Sequence, residues 1–303
     1  MNREGTRGDA VATSELVQPL RRARDLLGAV GGSVDFDHAV GYYDETRGLS
    51  PEVQDETVRR LRDALGPAAS VIEVGAGTGQ IAIPLARSGL RVLAVDLSAP
   101  MLRRLEQHAR DQGAHVPTVV GDATRLPIGD AACDGVVMRH VLHLVADWRQ
   151  ALDEVVRIVR PGGSFLVSIT DYTGLYRTLQ ERFLRAAGGL PVAVGLRPDD
   201  AASLEHELAG HGATGSVLEP VRGQRTLTVS SFLENMERGV YTWTWAASPT
   251  VRRHAVRSVR RWARRHLGRL DRPVESEFAI EWRAFRLPGR FPGGEAAGAA
   301  SLP

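Results

Sequence analysis

Residues 71–80 read VIEVGAGTGQ, and Gly75, Gly77 and Gly79 alternate straight after an apolar run that contains Glu73. Glycine permits a tight turn and close backbone approach to a ligand. In an open α/β sheet, ligands bind at the carboxyl ends of the strands. The loop therefore suits a nucleotide-like ligand. A dinucleotide needs G-x-G-x-x-G, with glycine or alanine at position 80; that position is Gln80, so the dinucleotide pattern fails. Further along stand His140 and His143, a residue type that titrates near neutrality and suits proton transfer. No Cys/His group has metal-ligand spacing and no G-x-S-x-G elbow occurs, so neither a metal nor a serine nucleophile is expected.

These residues need strands before them and helices after them. SVIEVG (70–75) reads as a buried strand and QIAIPLARSG as a helix closed by Gly89. RVLAVDLS (91–98) is a second strand, followed by a helix ending at Gly113. VPTVVGDA is a third strand, and CDGVVMRHVLHLV a fourth that runs into a helix beginning at His140. A helix stopped by Pro161-Gly162-Gly163 and a fifth strand, SFLVSIT, complete the alternation. Upstream, Ser50 and Pro51 mark the N-cap and first position of a helix over 49–65. Apolar strands alternating with amphipathic helices imply a parallel sheet covered on both faces. After Thr170 the reading is a helix at 204–212, a strand at SVLEPV, a helical stretch with three tryptophans over 231–268, and one last strand at 274–287.

The set E-x-G-x-G-x-G resembles motif I of the class I S-adenosylmethionine-dependent methyltransferases, and further matches follow in order. AVDLSAPML (94–102) resembles the second-strand motif, which ends in an acid. GDATRLPIGDAACD (121–134) resembles the third-strand segment, and residues 135–163 the fourth strand, next helix and closing R-P-G-G turn. YYDETRG (42–48) is similar to the lead-in Y-D-x-x-R-G of the small-molecule branch, the ubiquinone/menaquinone-type and antibiotic-tailoring enzymes. The matches span roughly 35–170. The resemblance implies a Rossmann-like, seven-stranded, mostly parallel sheet with a helical cap. It implies S-adenosylmethionine as cofactor, left as S-adenosylhomocysteine.

On that resemblance Asp96 accepts from both ribose hydroxyls, Asp122 meets the adenine amino group and Ala123 flanks the ring. Glu73, Gly75, Gly77, Gly79, Leu97, Met101 and Arg139 complete the cofactor set, with Tyr43 and Arg47 closing over it. Tyr42 or Tyr43 would shield the sulfonium, and Arg47 would pair with the methionine carboxylate. Methyl transfer from a sulfonium is an in-line displacement that mainly requires orientation. Arg139, His140 and His143 lie where a base would be needed, and the two histidines carry the catalytic reading; the alternative is that both are packing residues. Asp147-Trp148 reads as a structural turn, and Cys133 as a buried small hydrophobe.

Substrate choice is expected where the family's last two strands are parted, here by roughly fifty residues. That insertion would cap the strand ends. Phe232, Met236, Tyr241, Trp243 and Trp245, with Tyr42, suggest a wall for an aromatic or hydrophobic substrate; the alternative is the cap's own core. A following helix carries a face of arginines that could meet phosphates or be plainly solvated. The domain reading is an N-terminal extension over 1–34, a methyltransferase domain over 35–287 with cap segments at about 171–202 and 225–272, and a Pro/Gly/Ala-rich disordered tail over 288–303.

The chain has 303 residues, a net charge of +2 and a single cysteine, Cys133. All its non-histidine bases are arginine, which reads as the codon bias of a GC-rich, bacterial genome. One cysteine, no signal-like N-terminus and no long apolar run lead us to expect a cytoplasmic protein. The expected partner is a small molecule, with nucleic acid and membrane not expected, and the chain is read as a monomer or homodimer, through the N-terminal extension if dimeric. Two other readings stay open, an RNA methyltransferase and a non-methylating relative that holds the cofactor.

Overall fold

A computed structural model of the chain describes residues 33–289, apart from 35, 68, 170–173 and 191–192. The expected extension up to residue 32 and the expected tail from residue 290 lie outside the described residues.

The first helices show how local signals set the frame. A short helix, α1 (Tyr43–Arg47), precedes α2 (Pro51–Leu65). The Ser50 hydroxyl accepts from the Val53 N–H, satisfying one of the free donors of the first turn, and Pro51 needs no partner there. Val53, Val58 and Leu61 then fall on one buried stripe. Strand β1 (Ser70–Val74) follows, then α3 (Ala82–Arg87), β2 (Arg91–Asp96), α4 (Ala99–Asp111), β3 (Thr118–Val120), β4 (Cys133–Arg139), α5 (Trp148–Ile158) and β5 (Val159–Ser168). Beyond these come α6 (Gly174–Ala186), α7 (Ala201–Gly210), β6 (Thr214–Val217), β7 (Val221–Thr228), α8 (Val229–Arg238), α9 (Pro249–Leu267), β8 (Pro273–Ile280) and β9 (Arg283–Arg286).

The main sheet has seven strands in the order β3-β2-β1-β4-β5-β9-β6. The first five run parallel, and β9 is antiparallel to both of its neighbours. Order reverses between β1 and β4, which is where such sheets open a crevice at their carboxyl ends. Side chains alternate across the sheet. Ile72 and Val74 point to a core shared with Leu152 and Val155 of α5 and Leu204 and Leu208 of α7. Val71 belongs to the opposite core, with Leu61, Leu85 and Leu105 of α2, α3 and α4. A third core lies in the cap, where α6 packs with α8 and α9. The seven-stranded sheet and the helical cap are as expected.

Four local readings need correction. No α-helix begins at His140; that residue has φ of 56°, and a single 3-10 turn, Leu142–Leu144, follows. The arginine-proline-glycine-glycine turn does not stop α5, which ends at Ile158; it forms the start of β5. The stretch 274–287 is not one strand. It breaks at Glu281-Trp282 into β8 and β9, and Trp282 is fully buried at the break. Finally, β7 pairs with β8 in a separate two-stranded sheet, so the cap is not purely helical.

Candidate active site

The glycine loop leaves β1 at Gly75, whose N–H donates to the Val95 carbonyl at 2.8 Å. Gly75 has φ of 74°, and a Cβ there would lie 2.3 Å from Val141 Cγ2. No other residue fits without moving Val141. The next glycine does electrostatic work. The Gly77 N–H donates to Asp96 Oδ2 at 2.7 Å, and the Ser98 N–H donates to Oδ1 at 2.8 Å. The carboxylate at the end of β2 is thus fixed from both sides, and each oxygen keeps accepting capacity. Burial raises the Asp96 pKa, while the N–H groups of Ser98, Gly77 and Leu97 act against that rise.

Glu73 lies beneath the loop, is buried and is not itself part of the cavity wall. Burial pushes its pKa up to about 8, opposed by the Ala82 N–H and the charge of Arg139. Its Oε2 is buried without a partner. An acceptor left in this way, below a loop of N–H groups and beside a second carboxylate, fits a ligand that brings its own donors. An amino group and a ribose both do.

A strap formed by residues 33–47 crosses the loops after four strands. The Val34 N–H donates to the Leu144 carbonyl beyond β4. Ser33 Oγ donates to Asp122 beyond β3 at 3.1 Å, and Ser98 Oγ beyond β2 donates to Asp37 at 2.6 Å. Thr78 Oγ1 in the glycine loop donates to Asp44 at 2.6 Å. Asp44 also meets Arg104 at 3.5 Å and His108 at 3.6 Å, both on α4. The strap carries Tyr43, whose hydroxyl faces Gly77, and Arg47, whose Nη2 donates to the cap carbonyl of Val240 at 3.0 Å. Phe36 packs against both Tyr43 and Trp245, a further link between strap and cap.

One cavity of about 1080 Å³ lies between strap, sheet and cap. Gly75, Gly77, Asp96, Leu97, Met101 and Ala123 line its sheet end; Tyr43, Arg47, Arg139, His140 and His143 line its middle; Tyr241 and Trp243 line its cap end. The last two rings are parallel within 5°, at 5.1 Å. The cavity volume sits at the upper end of ligand pockets, which suits two bound molecules rather than one.

Both histidines are neutral at ordinary pH. Burial drives the His140 pKa well down, and the charges of Arg139 and Arg47 add to the effect. Burial and Arg47 bring His143 to about 4. The His140 ring stands 6.2 Å from that of His143, nearly perpendicular to it. Arg139 donates from Nη1 to Gln80 Oε1 at 3.0 Å, and burial lowers its pKa. Neither Arg47 nor Arg139 has a partner at Nε. Two guanidiniums and two neutral imidazoles can hold an anionic oxygen and accept a weakly held proton.

Several sequence candidates are not in the cavity wall. Met236 and Phe232 are fully buried in the cap's own core, the alternative reading for this aromatic cluster. Trp245 packs on Phe36 and His38 and donates from Nε1 to the Gly239 carbonyl. Tyr42 packs against the cap core, so of the two tyrosines only Tyr43 faces the cavity. Gly79 does not line the cavity either: the side chains of Ile83 and Leu105 close over it. Asp122 lies behind its neighbours Gly121 and Ala123, and its Oδ1 takes three bonds, from Ser33 and from both donors of Thr124. Asp147 is the N-cap of α5 and Trp148 is core, as the turn reading has it. Burial pushes the Cys133 thiol up to about 12, which makes it inert.

Sequence reasoning missed Gln180, a buried amide on α6 that lines the cavity. It also missed the hydroxyl-to-carboxylate clasps of the strap. No local pattern marks either, because their partners lie between 34 and 89 residues away.

A family model described as a methyltransferase domain matches residues 72–167. The demethylmenaquinone methyltransferase of Mycolicibacterium gilvum is 36% identical over 170 residues, covering 54% of this chain and 72% of that one. The demethylmenaquinone methyltransferase of Mycobacterium tuberculosis is 35% identical over 199 residues, covering 59% of this chain and 82% of that one. Among solved structures, the YcgJ protein of Bacillus subtilis superposes with a TM-score of 0.55 at 17% identity, over 78% of this chain and 98% of that one. The likeness in fold therefore extends past the stretch of sequence likeness. With its ordered motifs, its sheet and these relatives, the chain belongs to the class I S-adenosylmethionine-dependent methyltransferases, in the small-molecule branch of the quinone type.

Proposed function

We propose that the protein methylates an O, N or C atom of a natural product or other secondary metabolite with an aromatic or hydrophobic scaffold. The observation that carries this reading is a cavity lined both by Asp96 and Ala123 and by the parallel rings of Tyr241 and Trp243. A planar apolar acceptor would lie along those rings. S-adenosylmethionine, when bound, supplies an activated methyl group. The chain's own residues orient and enclose it. Asp96 would hold the ribose, Glu73 would take a donor from the amino-acid end, and Ala123, Leu97 and Met101 would flank the base. Arg47 and Arg139 would meet carboxylate or developing oxyanion charge.

Strap and cap wall the cavity, so the transferring atoms would be held and oriented there. His140 and His143, both neutral, are proposed to accept the proton that the nucleophile loses; with His143 near 4, this suits an acceptor that is itself acidic. In this reading residues 35–287 form the methyltransferase domain of a cytoplasmic protein, with cap segments at about 171–202 and 225–272, acting as a monomer or homodimer.

Calorimetric titration with S-adenosylhomocysteine, with NAD as control, tests the cofactor end. Micromolar binding is expected for the wild type and none for NAD. Asp96→Ala should weaken binding at least tenfold, since it removes a charged hydrogen-bonding acceptor from a buried site. Methyl transfer to a panel of hydroxylated aromatic acceptors tests the other end. If no aromatic acceptor turns over while polar ones do, the acceptor reading fails.

A further inference from the structure

The outer face of α9 is used by neither the cavity nor the cap core. The helix sequence PTVRRHAVRSVRRWARRHL contains seven arginines, two histidines and no acid. Arg253, Arg257, Arg261, Arg264 and Arg265 are exposed, Arg260 half-buried. Their spacing puts them on one stripe, about 18 Å from first to last at the helical rise. Among the described residues, no carboxylate pairs with any of these six.

An arginine-rich genome does not explain this. Helix α2 also carries arginines, and there Arg59 and Arg60 pair with Glu56, and Arg59 with Asp63. In α9 like charges stand four apart at 253/257, 257/261, 260/264 and 261/265, an arrangement that weakens a helix. Arg252 also stands in its first turn, where the helix dipole disfavours cations. The helix is held by its apolar stripe, Ala255, Val256, Val259 and Ala263, buried in the cap.

We propose that this face docks the protein on an anionic phospholipid surface. Two observations favour lipid over RNA. Single-stranded nucleic acid needs free aromatic faces for base stacking. The one tryptophan on α9, Trp262, is covered: the Arg182 guanidinium lies 3.8 Å from its centre, and the His266 ring stacks at 4.8 Å. Second, the charges lie along one straight convex helix, which touches a flat surface along its length but lines no groove. Leu267, exposed at the end of the same helix, offers an apolar contact at the headgroup level. Contact of this kind needs no spanning segment, and no described helix is long and apolar enough to be one. The cap is also the wall of the acceptor end of the cavity, so docking would bring that end toward the lipid. This last point rests on the apolar-acceptor reading above; the docking itself does not.

The test is cosedimentation of the full chain with vesicles of phosphatidylglycerol and phosphatidylcholine, and with vesicles of phosphatidylcholine alone. Wild type is expected to partition only onto the anionic vesicles. Binding should fall at least tenfold when salt is raised from about 0.05 M to about 0.5 M, because exposed charges are screened. The triple variant Arg257→Gln/Arg261→Gln/Arg264→Gln should lose at least tenfold in partitioning. Its S-adenosylhomocysteine titration should be unchanged, which shows that it is folded and keeps this test separate from that of the acceptor. Three results overturn the proposal: no wild-type partitioning, equal partitioning of the variant, or variant-sensitive binding to a random single-stranded RNA with the vesicles ignored.

Discussion

Asp96 and Glu73 are both acids at the sheet edge, but their settings give them different tasks. Asp96 is fixed by two backbone N–H groups and serves as a ready acceptor. Glu73, with a pKa near 8, carries a proton at neutral pH before any ligand binds. A cationic amino group brought by the cofactor favours the charged form, so binding should release a proton. Titrations with S-adenosylhomocysteine at pH 7 in phosphate and in Tris should therefore give different apparent enthalpies. Glu73→Gln should abolish that difference and weaken binding about tenfold or more, as loss of a charged partner does. Equal enthalpies in the two buffers for the wild type would mean that Glu73 keeps its proton. At this scale the sequence was informative where function is local. Gly75, Gly77 and Asp96 sit within a run of about twenty residues, where the glycine spacing and the resemblance of the second strand's end to the family's motif could place them. Met236 could not, because nothing in its neighbours tells a cavity wall from a core, and the packing of α8 on α9 decides it.

Among the elements, the glycine loop and the strap carry the tightest geometry. Gly75→Ala meets Val141 and a left-handed backbone together, and should cost on the order of 1–3 kcal/mol. Gly75→Ala with Val141→Ala should recover only the steric share in a denaturant titration. The strap tests differently. Asp44→Asn weakens the clasp to Arg104 and His108 without touching the cavity wall, so S-adenosylhomocysteine should dissociate several-fold faster in stopped flow, with the melting temperature little changed. An unchanged off-rate would mean that cofactor exchange does not pass through the strap.

The elements also mark where sequence reading stops. VRGQRTLT alternates weakly and carries two arginines, so nothing announced β7. Residues 274–287 keep an unbroken strand rhythm, yet Trp282 turns inward and splits them between two sheets. The helix expected at His140 fails because the chain there must swing out of β4 in a left-handed conformation to present an imidazole to the cavity.

For the molecule as a whole, the buried histidines tie stability to pH. An unfolded histidine titrates near 6.5 and folded His143 near 4, so below pH 6.5 the unfolded chain binds the extra proton. Stability from this group is intact above pH 6.5 and is lost as pH falls through about 4. The full loss is on the order of 3 kcal/mol. His140 acts in the same direction. Glu73 acts oppositely, losing stability as pH rises from 4.5 through about 8. Between pH 6.5 and pH 4 these contributions oppose one another, so the test is a difference between proteins: His143→Gln should lose less stability than the wild type on acidification over that range in a calorimetric pH series.

The larger of the two cap segments leaves the sheet after β6 and returns at β9, and these two strands pair with each other, Val217 opposite Arg283. Its two ends are thus one strand spacing apart, about 4.8 Å. An insertion closed at its base in this way can lengthen, shorten or be exchanged without altering the order or register of the strands that hold the cofactor. Tyr241 and Trp243 at the cap end of the cavity and Gly75, Gly77 and Asp96 at its sheet end are on separate parts of the chain. A lineage can retool the first while inheriting the second, and a designer can graft a different cap at the same pair of residues.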